Sequence, residues 1–278
     1  MEENGESRIA KGYTYNYPRP AVTSDCVVFG FDSIDLNILL VKRGIEPFKG
    51  EWALPGGFLH MDETSEECAA RELQEETGAS DLILKQVSTF STIDRDPRGR
   101  VISVAFYALA NPYKISKMVI KGGDDASDAK WVSLKEIQDK MKLAFDHNKI
   151  VESALRKLRI DLRNQPVAFS LLNKKFTIKQ LQSVYEQILG KSFDRGNFHK
   201  KMVGIRQDSN DSITVLGEIE PTYSKRQNEI LQKRKNLGVV TDTGEVVSGV
   251  KHKPAKLYTL NPEKFEEINE NEDFYFDF

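Results

Sequence analysis

The stretch RELQEETG, from Arg71 to Gly78, decides how the rest of this 278-residue chain is interpreted. It places Glu72, Glu75 and Glu76 within two turns of a helix, where residues three and four apart share one face. Like charges at these spacings repel one another, at roughly a few tenths of a kcal/mol per pair. Three carboxylates on one face also form an oxygen-rich site of the kind that Mg²⁺ and Mn²⁺ prefer, and a bound cation would offset the repulsion.

The helix that carries these acids has both of its ends marked in the sequence. Thr64 and Glu67 have the spacing of a capping box at its start, and Gly78 stands where a helix commonly ends. Strands are predicted around it at TSDCVVFGF, LNILLVKRG, EWALPGGFL, LILKQVSTFST, RVISVAFYALA and DAKWVSL, followed by helices at KEIQDKMKL and HNKIVESALRKLRIDL. This order predicts an α+β layered domain at residues 21–160, after a mobile N-terminal segment at 1–20.

Composition and charge exclude several classes of protein. The formal net charge is −2, so no overall field attracts nucleic acid or membrane, and such a partner needs a local patch. The two cysteines, Cys26 and Cys68, are too few and too widely spaced for a disulfide framework or a zinc ribbon. No apolar run approaches the ~20 residues of a membrane span, and the polar N-terminus is unlike a secretory signal. We therefore expect a cytoplasmic protein with no membrane partner.

The acidic helix completes a longer spaced pattern. Gly57 is followed after five residues by Glu63, and after seven more by Arg71-Glu72-Leu73-x-Glu75-Glu76-x-Gly78-Ala79. An acidic run alone is more often a solvated helix face, but this spacing matches the Nudix box, G-x5-E-x7-R-E-U-x-E-E-x-G-U, where U is a bulky aliphatic residue. Ala79 is the one departure among nine defined positions. Over residues 20–160 the chain resembles the Nudix hydrolases.

This resemblance implies a fold, a cofactor and roles for the residues of the box. The Nudix fold is a mixed β-sheet sandwiched between helices. The family cleaves nucleoside diphosphates linked to another group, by attack of water on phosphorus with the help of divalent cations. By position, the ligands of Mg²⁺ or Mn²⁺ would be Glu72, Glu76, Glu75 and the Gly57 carbonyl. Glu63 and Arg71 match the pair that orients the helix, and with Glu75 they are the catalytic candidates within the box.

Other candidates lie outside the box. Asp124, Asp125 and Asp128, in KGGDDASDAKW, are candidates for a general base or a further metal ligand, and a Gly-Asp turn with a cap is the alternative interpretation. Arg95 and Arg98, in DRDPRGR, are placed to clamp a phosphate or a terminal ribose, and a plain hairpin turn would look much the same.

Aromatic residues and two short segments bear on the substrate. Tyr15, Tyr17 or Phe48 would be able to stack an adenine, although ordinary packing is the commoner role of such residues. The segments YPRPAVTSD and GGDDASDAKW resemble stretches in the ADP-ribose-directed branch of the family. We therefore expect a nucleotide derivative as the small-molecule partner, either ADP-ribose or a related dinucleotide.

The pattern changes after residue 160. TIKQLQSVYEQILG predicts an amphipathic helix with a Thr cap and a Gly stop, and the short link KSFD leads to a second helix, RGNFHKKMVGI. Two short strands are predicted at SITVLGEI and KLYTLNP, with about 35 mostly polar residues between them. This order predicts a winged helix-turn-helix domain at residues 161–262 with a long insert in the wing, followed by an acidic tail at 263–278.

The C-terminal half resembles the winged helix of Nudix-related transcriptional regulators, which include repressors that sense ADP-ribose and relatives that sense sugars. The resemblance makes DRGNFHKKM the recognition helix, with Phe198 and Met202 packed inward. Five residues would face double-stranded DNA, namely Arg195, Asn197, His199, Lys200 and Lys201. Residues 193–256 carry 12 Lys or Arg against 8 Asp or Glu, most densely in SKRQNEILQKRKN. The alternative is a dimerisation or docking module.

Two functions from different classes remain open. One is a Mg²⁺-dependent pyrophosphohydrolase with an accessory winged helix. The other is a DNA-binding regulator whose Nudix domain senses a nucleotide or a sugar. A pure sensor does not need Glu72, Glu75 and Glu76, so their presence favours a competent hydrolase, and a regulator that hydrolyses its own effector would satisfy both. Paired Nudix domains and a palindrome-reading helix-turn-helix each require two copies, so we expect a homodimer.

Overall fold

The structure of the chain, a computed structural model, describes residues 16–112, 115, 126–203, 238–249 and 254–269. Residues 16–20 form no helix or strand, and residues 1–15 of the predicted N-terminal segment are not among those described. The elements that follow, up to residue 140, are β1 (Ala21–Phe31), β2 (Leu36–Arg43), β3 (Trp52–Ala53), β4 (Gly56–Phe58), α1 (Ser65–Thr77), β5 (Lys85–Phe90), β6 (Val101–Ala110), β7 (Ala126–Ser133) and α2 (Leu134–Lys140).

The seven strands described in this half form one mixed sheet. Its main order is β3-β2-β1-β6-β5, with β4 also paired to β1 and β7 also paired to β2. Strands β1 and β6 run parallel, from Ala21 opposite Val101 to Gly30 opposite Ala110, and the other described pairs are antiparallel. The parallel pair lies at the centre of the sheet and is buried along most of its length, which explains its nearly continuous apolar sequence.

Helices cover both faces of this sheet. Because alternate residues of a strand point to opposite faces, the apolar run in β1 supplies two separate cores. Cys26 and Val28 pack with the buried residues of α1, whereas Val27 and Phe29 belong to the larger core that includes the helix beginning at His147. A mixed sheet between helices is the predicted fold class, and the prediction is confirmed.

The C-terminal half begins with a long helix. Its elements are α3 (His147–Asn164), a 3₁₀ helix (Val167–Leu171), α4 (Ile178–Leu189), α5 (Arg195–Val203), β8 (Val240–Val246), β9 (Lys256–Leu260) and α6 (Pro262–Asn269). Strands β8 and β9 form an antiparallel hairpin, with Val240 opposite Leu260. Two helices followed by a hairpin confirm the predicted winged helix-turn-helix, and its core is continuous with the core beneath the sheet.

The helix pair of the winged helix follows from its local sequence. Thr177 and Gln180 form a capping box at the start of α4, and Gly190, with φ of 68°, ends it. On α5, Phe198 and Met202 are buried as predicted. The ring of Phe198 meets that of Tyr185 on α4 edge-on, with centroids 5.7 Å apart. This contact fixes α5 against α4.

The wing differs from the sequence-based interpretation. The strand that pairs with KLYTLNP is Val240–Val246, within the stretch predicted to be a polar insert. Its β-branched residues suit a hairpin strand, but Val240 is the one fully buried residue of this strand and five of the seven residues are Thr, Asp, Gly or Glu, so no apolar run marks it. The segment SITVLGEI, at 212–219, lies outside the described residues, as do residues 204–237 generally.

Helices run without a break across two of the segment boundaries predicted from the sequence. Helix α3 runs through the predicted division at residues 160 and 161. The first part of the predicted acidic tail is helix α6, whose Phe265 is buried in the common core, and residues 270–278 fall outside the described part of the chain. None of the helices described here combines the length and the apolar character that crossing a membrane requires.

Candidate functional site

Helix α1 is held in place by its cap and by β1. The Thr64 hydroxyl accepts a hydrogen bond from the backbone N–H of Glu67, at 3.2 Å, and the Glu67 carboxylate accepts from the backbone N–H of Thr64, at 2.7 Å. Ser24 of β1 donates its hydroxyl hydrogen to the Ser65 carbonyl at 2.7 Å. Gly78, with φ of 67°, ends the helix. The capping box and the Gly stop predicted from the sequence are both confirmed.

Arg71 is the centre of an ion-pair network beside this helix. Its guanidinium donates to both oxygens of Glu63, at 2.9 and 2.8 Å, and to the carbonyl oxygen of Phe58 at 3.2 Å. It also donates to Glu72 at 2.7 Å and to Glu75 at 3.1 Å. The hydrogen bonds from Arg71 lower the pKa of Glu63 to about 2. The Glu63–Arg71 pair therefore joins the loop before α1 to the helix itself.

Glu76 and Glu72 lie in a different electrostatic environment. The Glu76 carboxylate accepts a hydrogen bond from the backbone N–H of Gly56 at 3.0 Å. Burial raises the pKa of Glu76 to about 8, and the negative charges of Glu72 and Asp25 contribute to the rise. Burial also raises the pKa of Glu72, partly opposed by its hydrogen bond from Arg71. Two neighbouring carboxyl groups that resist ionisation would be stabilised in their charged forms by a nearby cation.

Gly57 lies directly against the carboxylate of Glu72. A Cβ atom at this position would lie 2.1 Å from Oε1 and 2.3 Å from Cδ of Glu72, so a larger residue here would displace that carboxylate. The Gly57 carbonyl accepts a weak hydrogen bond from the Cys68 Sγ at 3.7 Å. The box glycine therefore allows the backbone of β4 to meet the acidic face of α1.

The carboxylates suit a divalent cation that keeps most of its ligands outside the protein. In the described part of the chain, no three His, Cys, Asp or Glu side chains come close enough together to hold a metal ion. Glu72 and Glu75 instead form ion pairs with Arg71. Mg²⁺ commonly takes one or two carboxylates and completes its shell with water and phosphate oxygens, and Glu72 and Glu76 fit that requirement. Coordination by Glu72, Glu76, Glu75 and Gly57 stays a prediction.

A cavity of about 640 Å³ opens beside the box helix. Its volume is that of a site for a small organic ligand. Its wall combines acidic, basic and aromatic side chains. The lining includes Thr23, Asp25, Arg43, Gly56, Gly57, Phe58, Glu72, Glu75, Glu76, Arg95, Asp96, Arg98, Phe145 and His147. The structure thus brings five of the predicted metal, catalytic or phosphate-binding side chains to one cavity, together with the Gly57 backbone.

The two predicted arginines have different environments at this cavity. Arg95 is 3% exposed, donates to the Asp146 carboxylate at 2.7 and 3.2 Å, and lies 3.5 Å from Asp25. Arg98 pairs with Asp96 at 2.7 Å, and its guanidinium lies 4.8 Å from the centre of the Phe58 ring. Arg98 is therefore the more accessible cation, whereas Arg95 is held in a buried ion pair.

An aromatic residue and a histidine that the sequence did not single out complete the cavity wall. Phe145 lines the cavity, and the predicted Phe48 packs edge-on against Phe145, with ring centres 4.8 Å apart, without lining it. The buried His147 accepts a hydrogen bond at Nδ1 from the Leu54 N–H at 2.9 Å, and burial lowers its pKa. The ring of His147 is therefore neutral, with its proton on Nε2. This nitrogen lies 3.7 Å from Oδ1 of Asp25. The segment LAFDH before α3 is the only sequence signal for these residues.

The remaining predicted small-molecule residues lie elsewhere. Asp128 is exposed on β7, accepts a hydrogen bond from the Ala129 N–H at 2.9 Å, and is not part of the cavity lining. Tyr17 is 80% exposed. Asp124, Asp125 and Tyr15 are outside the part of the chain that the structure describes.

Helix α5 presents the predicted DNA-binding residues in two environments. Arg195, Asn197 and Lys200 are exposed, and Lys201 is partly exposed. His199 turns toward the wing, where its Nε2 lies 3.2 Å from the Tyr258 hydroxyl of β9. An exposed, partly basic helix face supported by a buried opposite face has the form of a recognition helix.

Comparison with known proteins identifies both halves of the chain. A model of the NUDIX domain matches residues 19–154, and a model of the NrtR DNA-binding winged helix domain matches residues 168–230. The chain is 35% identical over 208 residues to the ADPR responsive transcriptional repressor NtrR of Acinetobacter baylyi, covering 73% of this chain and 81% of the relative. It is 41% identical over 140 residues to the ADP-ribose pyrophosphatase of Methanocaldococcus jannaschii, covering 50% and 76% respectively.

Two solved structures share the whole architecture. NrtR of Shewanella oneidensis, complexed with a 27mer DNA, matches with a TM-score of 0.62 and 28% identity, over 92% of this chain and 97% of the other. A MutT/nudix family protein from Enterococcus faecalis matches with a TM-score of 0.62 and 25% identity, over 90% of each chain.

Proposed function

The chain belongs to the NrtR family, in which a NUDIX domain is followed by a DNA-binding winged helix domain, and on this premise we propose that it is an ADP-ribose-responsive transcriptional regulator. The observation that carries the proposal is structural. Strand β2 lines the cavity of the Nudix domain at one end and contacts helix α4 of the winged helix at the other. A ligand in the cavity is thereby placed to influence DNA binding.

The cavity has the groups that a nucleoside diphosphate derivative requires. Arg98 and Arg43 supply positive charge for phosphate oxygens, and Phe58 and Phe145 supply aromatic faces for a base or a sugar. When bound, a divalent cation would neutralise charge on the phosphate oxygens. Glu72 and Glu76 are the side chains that would hold it. The similarity to an ADP-ribose pyrophosphatase favours ADP-ribose as the effector.

The winged helix supplies a surface for double-stranded DNA. Asn197, Lys200 and Lys201 stand at helical spacings of three and four, so they share one face of α5. Asn197 suits a base edge in the major groove, and the lysines suit phosphates. A related chain of the same architecture has been solved with DNA. Recognition of a palindromic site would require two copies, so a homodimer is part of the proposal.

Strand β2 is the proposed route between the two sites. At one end, the Leu36 N–H donates to Oε1 of Gln187 on α4 at 2.6 Å, and Nε2 of Gln187 donates to the Ile34 carbonyl at 2.7 Å. At the other end, Val41 and Arg43 line the cavity. A shift of β2 when a ligand binds would therefore be transmitted to α4 and to α5 packed against it. If the ligand binds more tightly to one of two positions of β2, and DNA binding also depends on that position, the ligand changes the affinity for DNA. DNA then changes the affinity for the ligand by the same coupling free energy.

Metal-dependent hydrolysis of ADP-ribose is a second proposed function. The complete Nudix box favours it, since a sensor alone has no use for Glu72 and Glu76 together in a buried site. Among the predicted catalytic acids, Glu75 reaches the cavity and Asp128 does not. A regulator with this activity would hydrolyse its own effector.

Calorimetry and product analysis separate the two functions. The chain is titrated with ADP-ribose in EDTA and in Mg²⁺, and each mixture is then analysed for AMP and ribose 5-phosphate. Binding without products supports a sensor, whereas Mg²⁺-dependent products that disappear in Glu76→Gln support a hydrolase. Neither binding nor products would refute the assignment of the cavity.

A further inference from the structure

Two neighbouring hydroxyl groups on β1 have opposite surroundings. Thr23, Asp25 and Val27 are alternate residues of the strand and point to one face of the sheet, while Ser24 points to the other. Val27 is part of the apolar core, but Thr23 and Asp25 line the cavity. Ser24 donates its hydroxyl hydrogen to the Ser65 carbonyl at 2.7 Å. The face of β1 that is apolar in its middle therefore becomes polar where it reaches the cavity.

The Thr23 hydroxyl is buried, and no residue that the structure describes hydrogen-bonds to it. The residue is only 7% exposed, while its backbone is ordered by pairing with Phe58 on β4 and Ser103 on β6. A buried hydroxyl without a partner destabilises the fold, and a valine would fill the same volume without that penalty. Packing alone therefore gives no reason for a threonine here.

We infer that the Thr23 hydroxyl binds the ligand of the cavity, donating or accepting a hydrogen bond with an oxygen of a nucleoside diphosphate derivative. The inference rests on the proposed function. Side chains that break a local rule of stability concentrate at functional sites, where the ligand supplies the missing partner.

The position of Thr23 indicates which part of the ligand it contacts. On the β1–β4 pair, Asp25 lies opposite Gly56, whose N–H binds Glu76, and Thr23 lies opposite Phe58, two residues farther along. The Phe58 ring carries the Arg98 guanidinium at 4.8 Å. A diphosphate near Glu76 would thus extend past Thr23, bringing a phosphate oxygen or the hydroxyl of an attached sugar to it.

Three variants test this inference in the full chain. Thr23→Val removes the hydroxyl at nearly constant volume, Thr23→Ser keeps it, and Ser24→Ala removes the neighbouring hydroxyl that already has a partner. Each is examined by calorimetric titration with ADP-ribose and with ADP, and by thermal unfolding without ligand. Thr23→Val should bind ADP-ribose roughly five- to tenfold more weakly, the worth of one hydrogen bond, with an unchanged or higher Tm.

The controls should behave in the opposite way. Thr23→Ser should bind within about threefold of the wild type, and Ser24→Ala should have a lower Tm with nearly unchanged affinity, since it loses a structural hydrogen bond. A loss of affinity in Thr23→Val for both nucleotides assigns the contact to a phosphate oxygen. A loss for ADP-ribose alone assigns it to the second sugar.

Two results would overturn the inference. Wild-type affinity in Thr23→Val would show that the hydroxyl does not touch the ligand. A lower Tm in Thr23→Val that Thr23→Ser restores would show that the hydroxyl has a structural partner. If the wild-type chain itself binds neither nucleotide, the proposed function fails and this inference fails with it, which the wild-type titration alone reveals.

Discussion

Replacing Glu76 by glutamine should make the chain more stable at neutral pH. In the folded chain the pKa of Glu76 is about 8, against an ordinary value of 4.5, chiefly because burial disfavours the charge. Below pH 4.5 the carboxyl is protonated in both the folded and the unfolded chain, so it has no effect. As the pH rises toward 8, the unfolded chain loses this proton first, and the free energy of unfolding falls. Glutamine is neutral throughout and still accepts from the Gly56 N–H.

The size of the effect follows from the two pKa values. Each pKa unit corresponds to about 1.4 kcal/mol. At pH 7 the unfolded side chain is ionised and the folded one is mostly protonated. This difference would lower the free energy of unfolding by about 3 kcal/mol. The side chain is only partly buried at the cavity, so solvent screening reduces this amount. We expect Glu76→Gln to gain about 1 to 3 kcal/mol at pH 7 and nearly nothing at pH 4.

Urea unfolding between pH 4 and pH 9, in EDTA, measures this difference directly. Glu75→Gln is the matched control, because Glu75 lies on the same helix and its side chain is 58% exposed. The control should follow the wild-type curve closely. Adding Mg²⁺ should stabilise the wild type more than Glu76→Gln, since the variant lacks one of the proposed ligands.

A contrary result would be clear. If Glu76→Gln is no more stable than the wild type at pH 7, or if its advantage does not grow between pH 4 and pH 8, the carboxyl is not held in a charge-disfavouring site. Glu72 and Glu76 would then have no electrostatic need for a bound cation.

Three further perturbations test other parts of the account. Gln187→Ala should leave ADP-ribose affinity near the wild-type value but reduce the effect of ADP-ribose on DNA affinity, measured in DNA titrations without and with saturating ligand; an unchanged effect would exclude this contact as the route. Glu63→Gln should destabilise the chain at pH 6, and its deficit should shrink toward pH 3, because the Glu63 pKa of about 2 stabilises the fold above pH 4.5 and the benefit is lost as the pH falls toward 2. Urea unfolding at pH 6 and pH 3 measures this difference in the free energy of unfolding. An equal difference at both pH values would contradict the prediction. Lys200→Ala should weaken DNA binding for all sequences and reduce the slope of log affinity against log salt by about one, and an unchanged slope would remove Lys200 from the DNA contacts.

Helices marked by local signals could be predicted from the sequence. Helix α1 has its capping box and its Gly stop within the helix and its immediate neighbours, and α4 has the same arrangement. The wing strand Val240–Val246 could not be found in this way. It is short, and five of its seven residues are Thr, Asp, Gly or Glu, so no apolar alternation marks it as a strand.

The candidate site was predictable where residues carry a recognisable chemical signature, as the acids of the box and the arginines of DRDPRGR do. The resemblance to the Nudix box implies that Glu63 pairs with Arg71, and the structure contains this ion pair. Thr23 and His147 were missed because each belongs to a segment with an ordinary structural interpretation, a buried strand and a helix start. Only the sheet and the packing of α3 bring these two segments to the cavity beside the box.

The most direct test of the central claim is whether a ligand of the Nudix cavity changes DNA binding. A duplex that the full chain selects from a random double-stranded library is labelled, and its fluorescence anisotropy is titrated with protein at increasing ADP-ribose concentrations. We expect specific DNA binding whose affinity shifts with ADP-ribose, by roughly five-fold or more at saturation. Specific DNA binding that ADP-ribose leaves unchanged, although calorimetry shows that it binds, would contradict coupling between the two domains.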